Sequence, residues 1–165
     1  MELIGVVDNN DNFIGTASRD EINEKKLCHR IVHVLIFNTE GKMALQLRSP
    51  NLPFCPNHWS TAVGGHVQPN ETYKDGAFRE FNEELGTICP IQFLAKDYYS
   101  LPNSAAKFIT TFTAKYDGPF DPDPKSVQKI IFFNLDEIQT MINNKEKFIP
   151  ELLFILNKYY QISLN

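Results

Sequence analysis

Three glutamates, Glu80, Glu83 and Glu84, fall within five consecutive residues and carry the clearest chemical signal in the sequence. On a helix, Glu80 and Glu84 lie one turn apart on the same face, with Glu83 beside them. Carboxylates this close repel each other unless something positive neutralises them. Hard divalent cations prefer carboxylate and carbonyl oxygens, and Mg²⁺ commonly bridges carboxylates to substrate phosphates. The cluster therefore predicts a site where Mg²⁺ or Mn²⁺ holds a phosphate compound.

The neighbours of the cluster support this interpretation. Arg79 lies one helical turn before Glu83, so the two can form an ion pair. Gly64 and Gly65 precede the cluster, and their backbone can approach a ligand closely because no side chain shields it. The alternative is a solvated helix face with ordinary ion pairs, which is the usual meaning of an isolated Glu-Glu pair. Three carboxylates at this spacing favour the metal site.

A helix from Asn70 to Leu85 must position these carboxylates. Asn70 can cap its start, Glu71 suits its positive end, and Gly86 can stop it. An apolar stripe recurs every four residues, at Tyr73, Ala77, Phe81 and Leu85. The stripe is expected to face the core, which leaves the carboxylates free to gather outside it.

The rest of the chain alternates irregularly between strand and helix patterns. Strands are predicted at 3–7, 13–15, 30–38, 43–48, 91–99, 107–116 and 130–134, with a brief partly apolar stretch at 59–63; helices are predicted at 135–144 and 150–160, residues 18–26 fit a short helix or a loop, and 49–58, with three prolines, is a loop. This order predicts an α/β fold in which helices cover both faces of a mixed sheet, as one domain over residues 1–165.

Composition narrows the class of protein. Of 165 residues, 42% are hydrophobic and 22% charged, and the net charge of −4 does not favour nucleic acid or an anionic membrane surface as the main partner. Cys28, Cys55 and Cys89 form no CxxC pair, which is typical of reduced thiols in a cytoplasmic protein. No signal peptide pattern opens the sequence, and no apolar run approaches the ~20 residues of a membrane span.

The segment from Gly65 to Thr87, GHVQPNETYKDGAFREFNEELGT, resembles the Nudix box. That pattern is Gly, five residues, Glu, seven residues, then Arg-Glu-apolar-any-Glu-Glu-any-Gly-apolar. All seven identity positions match and Phe81 fills the internal apolar position, while Thr87 replaces the usual larger aliphatic residue. The resemblance implies the Nudix α/β/α sandwich with a central mixed sheet. It also implies a hydrolase that cleaves the diphosphate linkage of a nucleoside diphosphate derivative or a related organic diphosphate.

The resemblance also implies roles for individual residues. Glu80, Glu83 and Glu84 would bind Mg²⁺, or Mn²⁺, and with Arg79 would form the catalytic set; the carbonyl of Gly64 would be a further metal ligand, and Glu71 and Gly86 would be structural. Arg79 would orient the glutamates by ion pairing. The metals would polarise the diphosphate, neutralise developing charge and lower the pKa of an attacking water. Which glutamate acts as general base stays open.

Three positions are candidates for substrate contact. Gly65 offers an open backbone, and His66 could touch substrate or metal, or could be a loop histidine bonded to backbone. Arg48 ends a strand and faces the proline loop; its guanidinium matches phosphate geometry, and a surface ion pair is the alternative. Three aromatic residues can stack a base or pack in the core: Phe54, Trp59 and Tyr99.

Other segments resemble the isopentenyl-diphosphate-isomerase-like branch of the same family: residues 7–19, Cys28-His29-Arg30 with the strand after them, residues 45–48, and Trp59 before Gly64-Gly65-His66. An isomerase of this branch needs a cysteine where this chain has Gly64. It also needs acidic residues on later strands, and none occurs from 98 to 116. His29 and His66 match two of its metal-binding histidines, but the position seven before His29 is Ile22. Hydrolysis is therefore predicted, with isomerase and non-catalytic diphosphate-binding module as alternatives.

Many Nudix hydrolases place a further carboxylate well after the box. Residues 124–127 would often hold glutamates in this branch, and here they do not. Asp117, Asp121 and Asp123 are the nearby candidates, and a polar loop is the alternative for each. The expected partner is a small-molecule diphosphate, and the chain is expected to be a monomer or a homodimer.

Overall fold

The computed structural model describes all residues from Met1 to Asn165. Its strands are β1 (Leu3–Val7), β2 (Phe13–Ser18), β3 (His29–Phe37), β4 (Met43–Arg48), β5 (Trp59–Thr61), β6 (Val63–His66), β7 (Ile91–Tyr99), β8 (Lys107–Lys115) and β9 (Val127–Phe133). Its helices are α1 (Arg19–Lys25), α2 (Tyr73–Leu85), α3 (Leu135–Asn143) and α4 (Pro150–Tyr160). No helix combines the length and the apolar character that crossing a membrane requires.

Strand β3 is the hub of one mixed sheet. It pairs in parallel with β8, from His29 opposite Lys107 to Phe37 opposite Lys115, and antiparallel with β1, β4 and β6. Strand β4 extends the sheet through antiparallel partners β5 and β9, and β7 pairs with β8. The predicted mixed sheet is confirmed.

Helices cover both faces of this sheet because strand side chains alternate between them. Val32 and Val34 of β3 belong to a core cluster that includes Phe81 of α2. Leu35, on the opposite face, belongs to a cluster that includes Ile138 of α3 and Leu152 of α4. The α/β class with the Nudix-like α/β/α layering is confirmed.

Helix α2 begins later than the sequence predicts. Asn70 has a φ of 67°, a left-handed conformation, whereas an N-cap residue needs extended backbone. Thr72, with φ −75° and ψ 164°, is the N-cap: its hydroxyl accepts from the Asp75 backbone N–H, and the Asp75 carboxylate accepts from the Thr72 backbone N–H. The predicted Asn70 cap is wrong, and Glu71 lies before the helix rather than in its first turn.

The end of α2 agrees with the prediction. Gly86 adopts a left-handed φ of 64°, and its N–H donates to the Asn82 carbonyl. Two N–H groups of the following loop, from Asp121 and Asp123, donate to the Leu85 and Glu84 carbonyls at 2.9 Å each. These bonds satisfy carbonyls that the helix itself leaves without partners, and they dock the 117–126 loop against the box helix.

Candidate active site and metal centre

A cavity of about 750 Å³ opens beside the box helix, between β3, β6 and the start of α4. Of the ten residues given a catalytic, metal-binding, substrate-binding or structural role from the sequence, seven line it: Arg48, Gly64, Gly65, His66, Glu80, Glu83 and Glu84. The other three, Glu71, Arg79 and Gly86, lie outside its lining. Cavities of this size are typical of small-molecule sites.

Gly65 and Glu80 meet at the wall of this cavity. A Cβ atom built on Gly65 would lie 2.2 Å from Cδ of Glu80, so only glycine fits here. Glu80 is 9% exposed, and burial raises its pKa to about 7, although Arg79 opposes the shift. The glycine therefore leaves a cradle in which this carboxylate lies against the β6 backbone.

Glu84 is held in place by one group of β4 and one group of β6. Its Oε2 accepts from Gln46 Nε2 at 2.7 Å and from the Gly64 N–H at 3.4 Å. Burial, and then the charge of Glu80, raise the pKa of Glu84 to about 8. Gln46 also donates to the Ala62 carbonyl at 3.1 Å, which fixes the orientation of its amide.

Arg79 ties the box loop to the box helix. Its Nε and Nη2 bind Glu71 Oε1 and Oε2 at 2.6 and 3.0 Å, a bidentate pair. Nη2 also donates to the His66 carbonyl at 2.8 Å, and Nη1 donates to Glu80 at 2.8 Å and to Glu83 at 3.3 Å. The ion pair predicted between Arg79 and Glu83 is present, and these contacts raise the pKa of Arg79.

The three box glutamates do not converge on one point. No group of three or more His, Cys, Asp or Glu side chains is arranged around a common centre in the structure. Glu80 and Glu83 accept hydrogen bonds from Arg79, whereas Glu84 accepts one from Gln46. The donor set nevertheless fits a hard divalent cation, because the buried Glu80 carboxylate, the half-buried Glu84 carboxylate and a glycine backbone share one cavity wall. A cation there would offset the cost of burying both charges.

The two predicted substrate-binding side chains are both partly engaged. Arg48 donates from Nε and Nη2 to the Phe54 carbonyl, at 3.2 and 2.9 Å, and so holds the proline loop while it lines the cavity. His66 Nδ1 lies 3.4 Å from Arg19 Nη2, and its ring centroid lies 5.3 Å from that of His29. Burial, followed by the nearby His29, lowers the pKa of His66 to about 3.

One of the three late carboxylate candidates reaches the cavity. Asp123 lines it, placed there by the bond from its N–H to the Glu84 carbonyl. Asp117 instead accepts from the Thr39 backbone and hydroxyl at 2.7 Å each, and neither Asp117 nor Asp121 lines the cavity. Asp123 is therefore the one candidate of the three positioned to act on a bound substrate.

The three aromatic candidates also differ in whether they line the cavity. Trp59 and Tyr99 belong to the hydrophobic core, and Trp59 Nε1 donates to Glu146 at 2.9 Å. Phe54 alone among the three lines the cavity. Base stacking on Trp59 or Tyr99 is thus ruled out by their burial.

Several polar residues of the cavity were not singled out from the sequence. Lys107 and Glu151 form an ion pair at 2.5 Å on its wall, beside the buried His33. Burial lowers the pKa of His29 and His33 to about 4, so both rings are neutral near neutral pH. The one sequence feature that could have indicated the Lys107–Glu151 pair was Glu151, which lies near the start of a mostly apolar helix, PELLFILNKYY. The sequence alone does not place Glu151 at the cavity, because its position depends on which face of the sheet α4 covers.

The NUDIX domain model matches residues 28–152, and the chain therefore belongs to the NUDIX domain family. It is 28% identical over 149 residues to isopentenyl-diphosphate Delta-isomerase 2 of Photorhabdus laumondii, across 87% of this chain and 83% of the relative. It is 36% identical over 94 residues to a prenyl-diphosphate phosphatase of Methanosarcina mazei, across 57% of this chain and 55% of that protein. A crystal structure of a Deinococcus radiodurans protein superposes with a TM-score of 0.83 at 22% identity, covering 96% of this chain and 99% of that chain.

These comparisons confirm the family and the fold that the box resemblance implied. They also confirm the class of enzyme, a Nudix-type hydrolase acting on diphosphate bonds. Nudix hydrolases as a class use divalent metals, in agreement with the carboxylate and carbonyl donors of the cavity wall.

Proposed function

We propose that this protein is a Mg²⁺-dependent hydrolase that cleaves the diphosphate linkage of a nucleoside diphosphate derivative or a related organic diphosphate. One observation carries the proposal: the buried carboxylate of Glu80 and the half-buried carboxylate of Glu84 lie against a glycine backbone at the wall of a cavity of about 750 Å³. Buried charges of one sign are costly unless a cation joins them. Mg²⁺ fits the oxygen donors, and Mn²⁺ is an alternative of the same kind.

Glu80, Glu83, Glu84 and the Gly64 carbonyl would hold the metal. A bound divalent cation supplies charge neutralisation at the diphosphate and lowers the pKa of a bound water. Arg79 would position Glu80 and Glu83 through the contacts it already makes, and Gln46 would do the same for Glu84. To share one cation, the carboxylates would turn away from these present partners toward a common centre.

Two arginines are suited to the phosphates. Arg48 uses Nε and Nη2 for the proline loop, while its Nη1 donates to no protein group. Arg19 lines the same cavity beside His66. A guanidinium binds phosphate oxygens in a fixed planar geometry, so both would orient the diphosphate over the carboxylates. Asp123, whose backbone N–H binds the Glu84 carbonyl, would be the further carboxylate that activates water.

Hydrolysis is favoured over isomerisation, although one relative is an isomerase. Gly64 stands where the isomerase pattern needs a cysteine, and β8 carries no acidic residue. In the isomerase pattern that thiol and an acid on a later strand transfer the protons, and this chain has neither at those positions. A purely binding role is less favoured, because a binder has little need of three clustered carboxylates. We further infer that residues 1–165 act as one domain, since all nine strands join one sheet.

The proposal is tested by measuring phosphate-bond cleavage with Mg²⁺ across nucleoside diphosphate derivatives, dinucleotides and prenyl diphosphates. Isomerisation of isopentenyl diphosphate is followed in parallel. Glu84→Gln should abolish metal-dependent cleavage, whereas Glu24→Gln, at an exposed site on α1, should leave it unchanged. Tight metal-dependent binding without cleavage would favour the binding module, and isomerisation without hydrolysis would overturn the hydrolase.

A further inference from the structure

His33 lies beside the proposed metal site without belonging to it. It is 4% exposed, lines the cavity, and is the registered partner of Gly64 on the antiparallel strand β6. On its other side it is the registered partner of Thr111, a fully buried residue of the parallel strand β8. Registered partners direct their side chains to the same face of a sheet, so a side chain at position 64 would meet the His33 ring.

The space between His33 and position 64 is too small for any side chain. A Cβ atom built on Gly64 would lie 2.8 Å from Nδ1 and 2.9 Å from Cε1 of His33. Non-bonded carbon atoms in contact are about 3.5–4.0 Å apart. Gly64 is a strand residue without a positive φ, so its backbone conformation alone does not call for glycine. The nearby imidazole ring is therefore what requires a glycine here.

A chain of hydrogen bonds keeps the ring in this place. Thr61 Oγ1 lies 2.7 Å from His33 Nδ1 and 2.8 Å from the Val63 carbonyl oxygen. A carbonyl only accepts, so the Thr61 hydroxyl donates to Val63 and accepts from Nδ1–H of His33. Rotation of the ring away from Gly64 would break this bond among buried groups, which is costly. Two hydrogen bonds in series thus tie β3 to the corner between β5 and β6.

Gly64 follows directly on this corner and takes part in the proposed metal site through its backbone. Its N–H donates to Glu84 Oε2 at 3.4 Å, and its carbonyl is the proposed metal ligand. Both groups depend on the position of one residue that has no side chain to hold it. Besides the pairing of β3 with β6, that position is held by the His33 ring on one side and by the fixed Val63 carbonyl just before it.

We propose that His33 is a positioning residue of the active site. It reserves position 64 for glycine and, through Thr61 and Val63, holds the backbone that presents the Gly64 carbonyl to a metal. This role rests on the proposed function, since it takes that carbonyl to be a metal ligand. Every residue other than glycine carries a Cβ, so His33 also excludes the cysteine that the isomerase pattern has at position 64.

A double-mutant cycle in thermal unfolding tests the contact. Gly64→Ala should lower the Tm by about 5 °C, as overpacking of a filled site does. In a His33→Ser background, which lacks the ring, the same change should shift the Tm by less than about 2 °C. Gly15→Ala is the matched control, because no atom lies within 4 Å of a Cβ built there, and its effect should be equal in both backgrounds. An equal fall for Gly64→Ala in both backgrounds would overturn the role of His33.

Kinetics distinguish a positioning role from a merely structural one. On whichever compound of the diphosphate panel the wild type cleaves with Mg²⁺, Gly64→Ala should lower kcat/KM by about 100-fold, the size of effect that small displacements at a reacting centre have. Addition of His33→Ser should recover about 10-fold of that loss and should tighten the apparent Mg²⁺ affinity again. A double variant no more active than Gly64→Ala would overturn the positioning role even if the Tm values are coupled.

Two further outcomes have their own measurement. If the wild type cleaves no diphosphate, the proposed function fails, while the thermal cycle still decides whether His33 reserves position 64. If His33→Ser does not fold, NMR of the His33 Nδ1–H, identified by its nuclear Overhauser effect to Thr61, takes its place. Gly64→Ala should shift this resonance and Gly15→Ala should not; an unchanged resonance in Gly64→Ala would overturn the contact.

Discussion

Gly65 and Glu80 fit together so closely that a single added methyl group on the glycine would lie 2.2 Å from the glutamate Cδ. The contact joins β6 to α2 across the cavity wall. It explains why a glycine is needed at a strand position whose backbone conformation any residue could adopt. The carboxylate occupies the space that a side chain would otherwise fill.

Gly65→Ala is therefore expected to displace Glu80 and to lower kcat/KM by about 100-fold, as small misplacements at a reacting centre do. Gly15→Ala is the matched control, because no atom lies within 4 Å of a Cβ built there. Steady-state kinetics with Mg²⁺ and thermal unfolding of both variants check the prediction. Full activity of Gly65→Ala would mean that Glu80 is free to move without consequence.

Arg79→Lys is expected to lower kcat/KM by about 10- to 100-fold, although the charge is kept. A lysine cannot reproduce the bidentate pair with Glu71 while it also binds the His66 carbonyl and Glu80. Lys74→Ala, at an exposed position of the same helix, should leave activity unchanged. Mg²⁺ titrations of activity should show a weaker apparent metal affinity in Arg79→Lys. An unchanged metal dependence would argue against its role in positioning the glutamates.

Asp123→Asn is expected to lower kcat at least about 10-fold with little change in KM, the pattern for a group that acts in the transition state. Asp117→Asn should leave kcat unchanged, because Asp117 binds Thr39 away from the cavity. The amide of Asp117→Asn still offers an oxygen to Thr39, so stability should fall by only about 1 kcal/mol. Equal kinetics for the two variants would remove Asp123 from the mechanism.

Asp11→Asn is expected to lower the free energy of unfolding at pH 7 by about 2–4 kcal/mol, since it breaks a largely buried ionic cluster. Burial opposes ionisation of Asp11, but hydrogen bonds from Lys96, Arg30 and Tyr73 outweigh it and lower the pKa below 3.8. The stabilisation is present above pH 3.8 and is lost as the pH falls through the lowered folded-state pKa.

Urea unfolding of the wild type and Asp11→Asn at pH 7 and under increasingly acidic conditions tests this dependence. Asn tolerates the left-handed φ of 65° at this position, so the substitution adds no backbone strain. The difference between the two proteins should shrink toward zero in acid. A difference that stays constant with pH would show that packing, rather than the charge, accounts for the loss.

The sequence predicts well those features that short-range patterns determine. The bounds of β4 and α4 agree with the pattern to the residue, and the stripe that includes Ala77, Phe81 and Leu85 is fully buried. The N-cap was misplaced because Asn70 and Thr72 both suit the role, and only the backbone turn at Asn70 decides between them.

The Lys107–Glu151 pair could not be predicted in this way. The two residues lie 44 positions apart, and they meet only because β8 pairs in parallel with β3 while α4 covers the same face. The same holds for Gln46, whose contact with Glu84 needs β4 beside the box helix. Some side chains that orient the site, such as Gln46, thus come from distant parts of the fold, whereas Arg79 and the glutamates come from one segment.

Gly86 has a second consequence beyond ending α2. A Cβ at this position would lie 2.8 Å from the Asp121 carbonyl, at the point where the 117–126 loop rests on the end of the helix. The last glycine of the box therefore acts as a spacer between the end of the box helix and the 117–126 loop. A larger residue would push the loop away from the helix, and Asp123, which that loop carries, would recede from Glu84 although its own side chain is unchanged.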